Sequence, residues 1–132
     1  LEQQEYYANP QNSFWKILFT IYNAKYSSNY EIKKQLIIDN SLAVWDVCNS
    51  AIRSGSLDSA IKDETPNNII ELLVQNSSIE KIAFNGQKAT TLYDKYFQRI
   101  PKIKYSTLLS TSPANARFNF HEKLDNWRQF FK

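Results

Sequence analysis

The strongest constraint on the fold lies between Ile79 and Leu109. Ile79 to Phe84 is a short apolar run closed by Asn85-Gly86, the commonest turn dipeptide, and a helical stripe departs at once over Gln87 to Phe97 with Ala89, Leu92, Tyr93 and Phe97 on one face. Lys102 to Leu109 then alternates as a further strand. Two strands joined by a helix of this length are parallel, because the helix carries the chain back to the starting edge of the sheet.

The rest of the chain extends this pattern. Asn12 to Ile21 places Phe14, Trp15, Leu18, Phe19 and Ile21 on a helical stripe, with Pro10 just ahead of it. Glu31 to Asp39 reads as a second helix, with Ile32, Leu36 and Ile37 inward, charge on the other side and a break at Asn40-Ser41. Leu42 to Val47 has the apolar, β-branched character of a buried strand, and Arg53 to Asp63 reads as a loop of functional length. Pro66 opens a helix capped by Asn67 or Asn68, with Ile69, Ile70, Leu72, Leu73 and Val74 as its apolar content. Phe118 to Phe131 closes the chain as a helix using Phe120, Leu124, Trp127, Phe130 and Phe131. The order predicts an α/β fold, a thin parallel sheet of three strands with helices on both faces. Sites in such sheets lie beyond the strand carboxyl ends, so the polar segments after Asp46, Phe84 and Leu109 are expected to converge.

Composition removes several function classes. At 132 residues the chain is one domain's worth, and 42% apolar with 14% aromatic content excludes a disordered chain. A single cysteine, Cys48, allows no internal disulfide and no Cys-rich metal site. With only Gly55 and Gly86 there is no glycine-rich phosphate loop, and with only His121 there is no histidine triad or histidine metal cluster. Asp39, Asp46, Asp58 and Asp63 show no spacing diagnostic of a carboxylate dyad. No cofactor and no metal are therefore expected. The net charge of +3 permits a polyanionic partner without demanding one. Absence of a long apolar run or a basic-then-apolar leader predicts a soluble protein of the cytoplasm, with no membrane partner. The sequence opens at Leu1 and holds no Met, so its start is not expected to be the biological one.

Three polar segments are left to carry chemistry. Tyr6-Tyr7-Ala8-Asn9-Pro10-Gln11-Asn12 sets aromatics and amides at a helix start. Capping accounts for it, and so does a site in which Tyr6 or Tyr7 stacks on a planar ligand while Asn12 offers its amide to polar edges or a water. Stacking on a nucleobase is worth about 1–3 kcal/mol. Asn85-Gly86 serves either as a bare turn or as a site at a strand end. Leu109-Ser110-Thr111-Ser112-Pro113-Ala114-Asn115-Ala116 offers small hydroxyls and backbone N–H groups to phosphate oxygens, or else caps the last helix.

As a set these segments, with Asn12-Ser13-Phe14-Trp15, Leu42-Ala43-Val44-Trp45-Asp46-Val47 and Gly55-Ser56-Leu57-Asp58-Ser59-Ala60-Ile61, resemble the hypoxanthine-DNA glycosylase branch of the uracil-DNA glycosylase superfamily. The Asn-Ser-Phe-Trp segment is also similar to that of the mismatch-specific uracil glycosylases. The resemblance implies a three-layer α/β/α domain over residues 1–132 with a four-stranded parallel sheet. It also implies a first strand and a Gly-x-x-Pro loop ahead of Tyr6 that this sequence does not contain, so the domain is expected to be N-terminally incomplete. It implies excision of a deaminated base from double-stranded DNA by a monomeric, cofactor-free enzyme, nucleoid-associated if prokaryotic. Carried over by position, Asn12 and Asn85 match the catalytic amides, Asn12 positioning water and Asn85 contacting the base. Tyr6, Tyr7 and Asp58 match substrate-binding positions, and Ser110, Thr111, Ser112, Pro113 and Asn115, with Ala114 between them, match the loop that presses on DNA.

Hypoxanthine is the expected base. Uracil excision, a DNA-binding descendant without catalysis, and a flavodoxin-like nucleotide-binding domain are the competing expectations, the last unsupported by any glycine-rich loop. Lys62, Lys88, Lys102, Lys104 and Arg117 are candidate phosphate-facing cations.

Overall fold

The computed structural model describes residues 6–51 and 63–131. Its elements in chain order are α1 (Phe14–Ile21), α2 (Tyr30–Asp39), β1 (Cys48–Ala51), β2 (Asp63–Pro66), α3 (Ile69–Gln75), β3 (Lys81–Asn85), α4 (Gln87–Tyr96), β4 (Lys104–Leu108) and α5 (Phe120–Phe131). They fall into two compact units, one drawn from Leu1–Val44 and Leu108–Lys132, the other from Trp45–Thr107. Among the described residues no helix is long and apolar enough to cross a membrane.

In the first unit α1 buries six of its eight residues, Phe14, Trp15, Ile17, Leu18, Phe19 and Ile21. A helix that is apolar nearly all round belongs in an interior, where each such side chain contributes about 1.5–3 kcal/mol. Phe14 meets Trp127 of α5 edge to face at 5.7 Å. Both α1 and α2 stop in the same way. Asn23 and Ser41 take positive φ (56° and 55°), and paired backbone bonds return to the last turn: Asn23 to Thr20 with Ala24 to Phe19, and Ser41 to Ile38 with Leu42 to Ile37. This is the Schellman arrangement, which satisfies carbonyls the helix end would otherwise orphan.

The second unit contains the predicted β-α-β unit. β3 and β4 are neighbours in a small parallel sheet, joined by α4. Gly86, at φ 95° and ψ 165°, makes the strand-to-helix junction in a region of backbone space open essentially to glycine alone. Phe84, Tyr93, Ile69, Leu73 and Ile103 form the core of this unit. The hydroxyls of Thr90 and Thr107 meet at 2.6 Å between α4 and β4. Arg99 makes a forked pair with Asp94 and lies over Tyr105, 5.2 Å from its ring centre.

Three expectations need correction. Leu42 to Val47 is not a strand. Residues 42–46 are irregular, and strand pairing begins only at Cys48. An apolar run becomes a strand only beside a partner, and among the described residues no strand pairs with 42–46; Asn67 donates its side-chain N–H to the Asp46 carbonyl at 2.7 Å and its backbone N–H to the Val47 carbonyl at 2.9 Å, the latter in line with the β1–β2 register. The β1 strand that follows pairs antiparallel with β2, Cys48 opposite Pro66 and Ala51 opposite Asp63. The described parallel sheet accordingly has two strands, where three were read. Pro66 ends β2 and does not open a helix; Asn68 caps α3, its side-chain oxygen accepting from Glu71 N–H. The predicted loop over 53–63 lies outside the described residues except for Asp63, which opens β2.

The third correction concerns α2. Ile32 and Ile38 are exposed, and Lys33 is buried with Leu36. The helix turns a lysine inward because that side chain packs on aromatic rings supplied by the first unit.

Candidate active site

The segment ahead of α1 is built by backbone bonds to side chains. Trp15 donates its indole N–H to the Tyr6 carbonyl at 2.7 Å, and Tyr6 N–H donates to the Tyr30 hydroxyl at 3.3 Å. Tyr7, at a positive φ of 56°, lays its ring on Phe14 with centroids 4.1 Å apart. For a bulky residue that backbone conformation is strained, and the stacking contact helps hold it. Asn12 N–H donates to the Asn9 carbonyl, and the Asn12 side-chain oxygen accepts from Phe14 N–H at 3.0 Å. Asn12 is therefore fixed as an Asx turn, which leaves the second lone pair of its oxygen and its NH2 group for other partners.

These residues surround a pocket of about 160 Å³, lined by Tyr7, Asn9, Asn12, Trp15, Tyr26 and Lys33 among others. At about 30 Å³ each, it has room for roughly five waters, the scale of one nucleobase. Its walls combine planar rings, amides and one cation. Lys33 is 6% exposed, and its Nζ stands 5.5 Å from the Trp15 ring centre and 5.9 Å from that of Tyr26. Among the described residues no carboxylate or other hydrogen-bond acceptor meets that ammonium, so the ring faces are its compensation, at about 2 kcal/mol in a desolvated setting.

The loop after β4 reaches the same helix start. Thr111 is fully buried, and its carbonyl accepts from Ser13 N–H at 3.1 Å. On the other side the loop is tied to α5. Asn126 accepts from Leu109 N–H at 2.8 Å, Trp127 donates to the Leu109 carbonyl at 2.8 Å, and Lys123 donates to the Ser112 carbonyl at 3.2 Å. Ser110 and Ser112 hydroxyl oxygens accept from backbone N–H groups within the loop, and the Asn115 side chain donates to the Ser110 carbonyl. The loop is thus tied by hydrogen bonds to α5 and within itself, with Pro113 and Ala114 exposed at its tip.

The fold brings Tyr7 and Asn12 to one pocket and joins Thr111 to the turn beside it. Tyr6 acts there through its backbone and is not part of the pocket wall. Asn85 belongs to the second unit, half-buried at the end of β3. Asp58 and Lys62 lie outside the described residues. Lys88, Lys102, Lys104 and Arg117 are exposed, as is His121. Asp46 has its carboxyl pushed up by desolvation. Among the described residues no group of three or more His, Cys, Asp or Glu could hold a metal ion. Sequence reasoning missed Lys33, Lys123 and Asn126; the only signal for Lys33 was a lysine at the i−3 position from Leu36 on a helix whose isoleucines do not share one stripe.

Two curated proteins align with the whole of this chain over 135 residues. Hypoxanthine DNA glycosylase of Methanosarcina barkeri is 30% identical, and Hypoxanthine DNA glycosylase of Methanosarcina acetivorans is 33% identical; the match covers 82% of each relative. The chain belongs to the hypoxanthine DNA glycosylase family. Membership at this identity and coverage places it among DNA glycosylases. No protein-family model matches the chain, and no solved structure does.

Proposed function

We infer that this chain is a monofunctional DNA glycosylase that removes a deaminated base, hypoxanthine in preference to uracil, from double-stranded DNA. The observation that supports this most is the pocket of the first unit, where the Tyr7 and Trp15 rings and the Asn12 amide line one base-sized space. A base inside a duplex is out of reach, so the target nucleotide flips out at a cost of a few kcal/mol, less where the pair is already mismatched. Ring stacking and amide contacts then hold it. Asn12, fixed by its bond to Phe14 N–H, orients the attacking water with its remaining lone pair and NH2 group. Water adds to C1′ as the C1′–N bond breaks with its electron pair going to the base. The base leaves with a proton, and an abasic site remains. Asn85 contacts the base edge, Tyr7 and Asp58 bind substrate with Tyr6 holding the segment through its backbone, and Ser110, Ser112, Pro113 and Asn115 meet the DNA backbone, with Thr111 anchoring their loop from beneath.

The same reading gives residues 1–132 the uracil-DNA glycosylase type of fold, with a four-stranded parallel sheet of which β3 and β4 are two strands, and an enzyme working as a monomer on the DNA of the cytoplasm. The test is a single-turnover assay on duplexes carrying hypoxanthine or uracil opposite each normal base, scored by abasic-site cleavage. Faster loss of hypoxanthine supports the reading, faster loss of uracil moves the specificity, and duplex binding with no excision overturns the activity.

A further inference from the structure

Lys33 is the charged side chain among the residues that line the pocket, and the reaction as described leaves it without a role. We propose that Lys33 is a further catalytic residue, whose ammonium donates to the departing base and stabilises the negative charge that develops on it; the proposal rests on the glycosylase reading above. Three observations carry it. The residue is 6% exposed. Its Nζ is caged by the rings of Trp15 and Tyr26, and all three residues line the pocket that holds Asn12. Among the described residues, moreover, no carboxylate or hydrogen-bond acceptor meets its ammonium, although buried cations are ordinarily paired.

A cation held among rings with little exposure to water interacts strongly with any anion that enters. The base becomes that anion as the reaction proceeds. When the C1′–N bond breaks, the electron pair moves onto the base, while the sugar becomes positive and takes the water oxygen. Lys33 keeps its own proton throughout and donates a hydrogen bond; the proton that finally neutralises the base derives from the water. An ammonium on the base side lowers the barrier because the charge it meets is larger in the transition state than in the bound substrate. A phosphate contact fits less well. Phosphates stay outside a base pocket and are met by exposed cations, whereas this one lies among planar rings.

The test compares the full chain with Lys33→Met and Lys33→Arg. Methionine preserves an unbranched stem against the rings and removes the charge; arginine restores it. Circular dichroism and thermal melting establish that each variant folds. Single-turnover excision is then measured at saturating enzyme on bases of graded acidity, alongside duplex affinity and its salt dependence. The expected result for Lys33→Met is a loss of about 100-fold in rate, unchanged affinity, a loss that shrinks as the base becomes the better leaving group, and partial recovery in Lys33→Arg. A wild-type rate in Lys33→Met overturns the proposal and leaves the glycosylase reading intact. So does a variant that loses affinity and salt dependence but keeps its saturated rate, the signature of a phosphate contact. A wild-type chain that excises no base overturns both.

Discussion

Replacing Asn12 by alanine separates a structural role from a chemical one, because the side chain has both and their sizes differ. The structural part is the bond from Phe14 N–H to the Asn12 oxygen, 3.0 Å long at the start of α1. Losing a side-chain acceptor at a helix start costs about 1 kcal/mol, which lowers the melting temperature of a domain this size by about 3–5 °C. Even for a domain at the low end of natural stability, about 4 kcal/mol would remain, leaving about one molecule in a thousand unfolded. The chemical part is larger. A misplaced water costs about 100-fold in rate, or about 2.7 kcal/mol of barrier at 1.36 kcal/mol per tenfold. Single-turnover excision at saturating enzyme, measured beside thermal melting, reads both parts on one variant. Asn12→Asp supplies the control: a carboxylate oxygen still accepts from Phe14 N–H and still orients water, so melting returns to near the wild-type value and at least a tenfold share of the rate is regained. A folded Asn12→Ala protein whose rate stays within threefold of wild type would refute the assignment of water positioning to Asn12.

Other consequences can be checked independently. Asn126→Ala leaves the part-buried Leu109 N–H without its acceptor and should cost about 1–3 kcal/mol, read by urea unfolding; an unchanged midpoint would mean the loop is held by Trp127 and Lys123 alone. Gly86→Ala forces a side chain into φ 95°, ψ 165° and should cost about 1–3 kcal/mol, whereas an unchanged melt would show that the junction relaxes. Tyr93 holds its phenol proton well above the ordinary 10.0, first through burial and then through the Tyr105 hydroxyl at 3.3 Å. The folded state therefore keeps a proton that the unfolded state releases, so the stability Tyr93 contributes is complete below pH 10 and is lost as pH rises beyond it. Tyr93→Phe should flatten the fall in melting temperature between pH 9 and 11, and an equally steep fall would assign it elsewhere. Duplex affinity should drop with salt at a log–log slope of about −0.9 per phosphate neutralised by a lysine or arginine, and a flat dependence would argue against phosphate contacts by cations such as Lys88, Lys102, Lys104 and Arg117.

Much of the fold could be read along the chain. The β3–α4–β4 unit was legible because alternation, an Asn-Gly turn and a helical stripe follow one another without interruption, and each is set by interactions a few residues apart. The apolar α1 and the amphipathic α4 and α5 were legible for the same reason. Leu42 to Val47 was misread because its composition suits a strand, yet what settles a strand is a partner. Among the described residues no strand lies beside 42–46, and pairing begins only where β1 meets β2. On α2, periodicity marked Ile32 as inward and assigned the lysines to water, but the rings of Trp15 and Tyr26 make a better environment for the Lys33 side chain than its own helix predicts.

The candidate site divides along the same line. The sequence by itself determined the helix starts, the Asn85-Gly86 junction and the set of motifs whose family the comparisons support. Those features rest on local backbone preference and on residue identity. Only the tertiary structure decided that Tyr7, Asn12, Trp15 and Lys33 share one pocket, that Tyr6 contributes its backbone, and that Thr111 is buried as an anchor of the loop after β4. Those outcomes depend on bonds between distant residues, Ser13 with Thr111 and Leu109 with Asn126, and no local periodicity encodes which distant donor a carbonyl will meet.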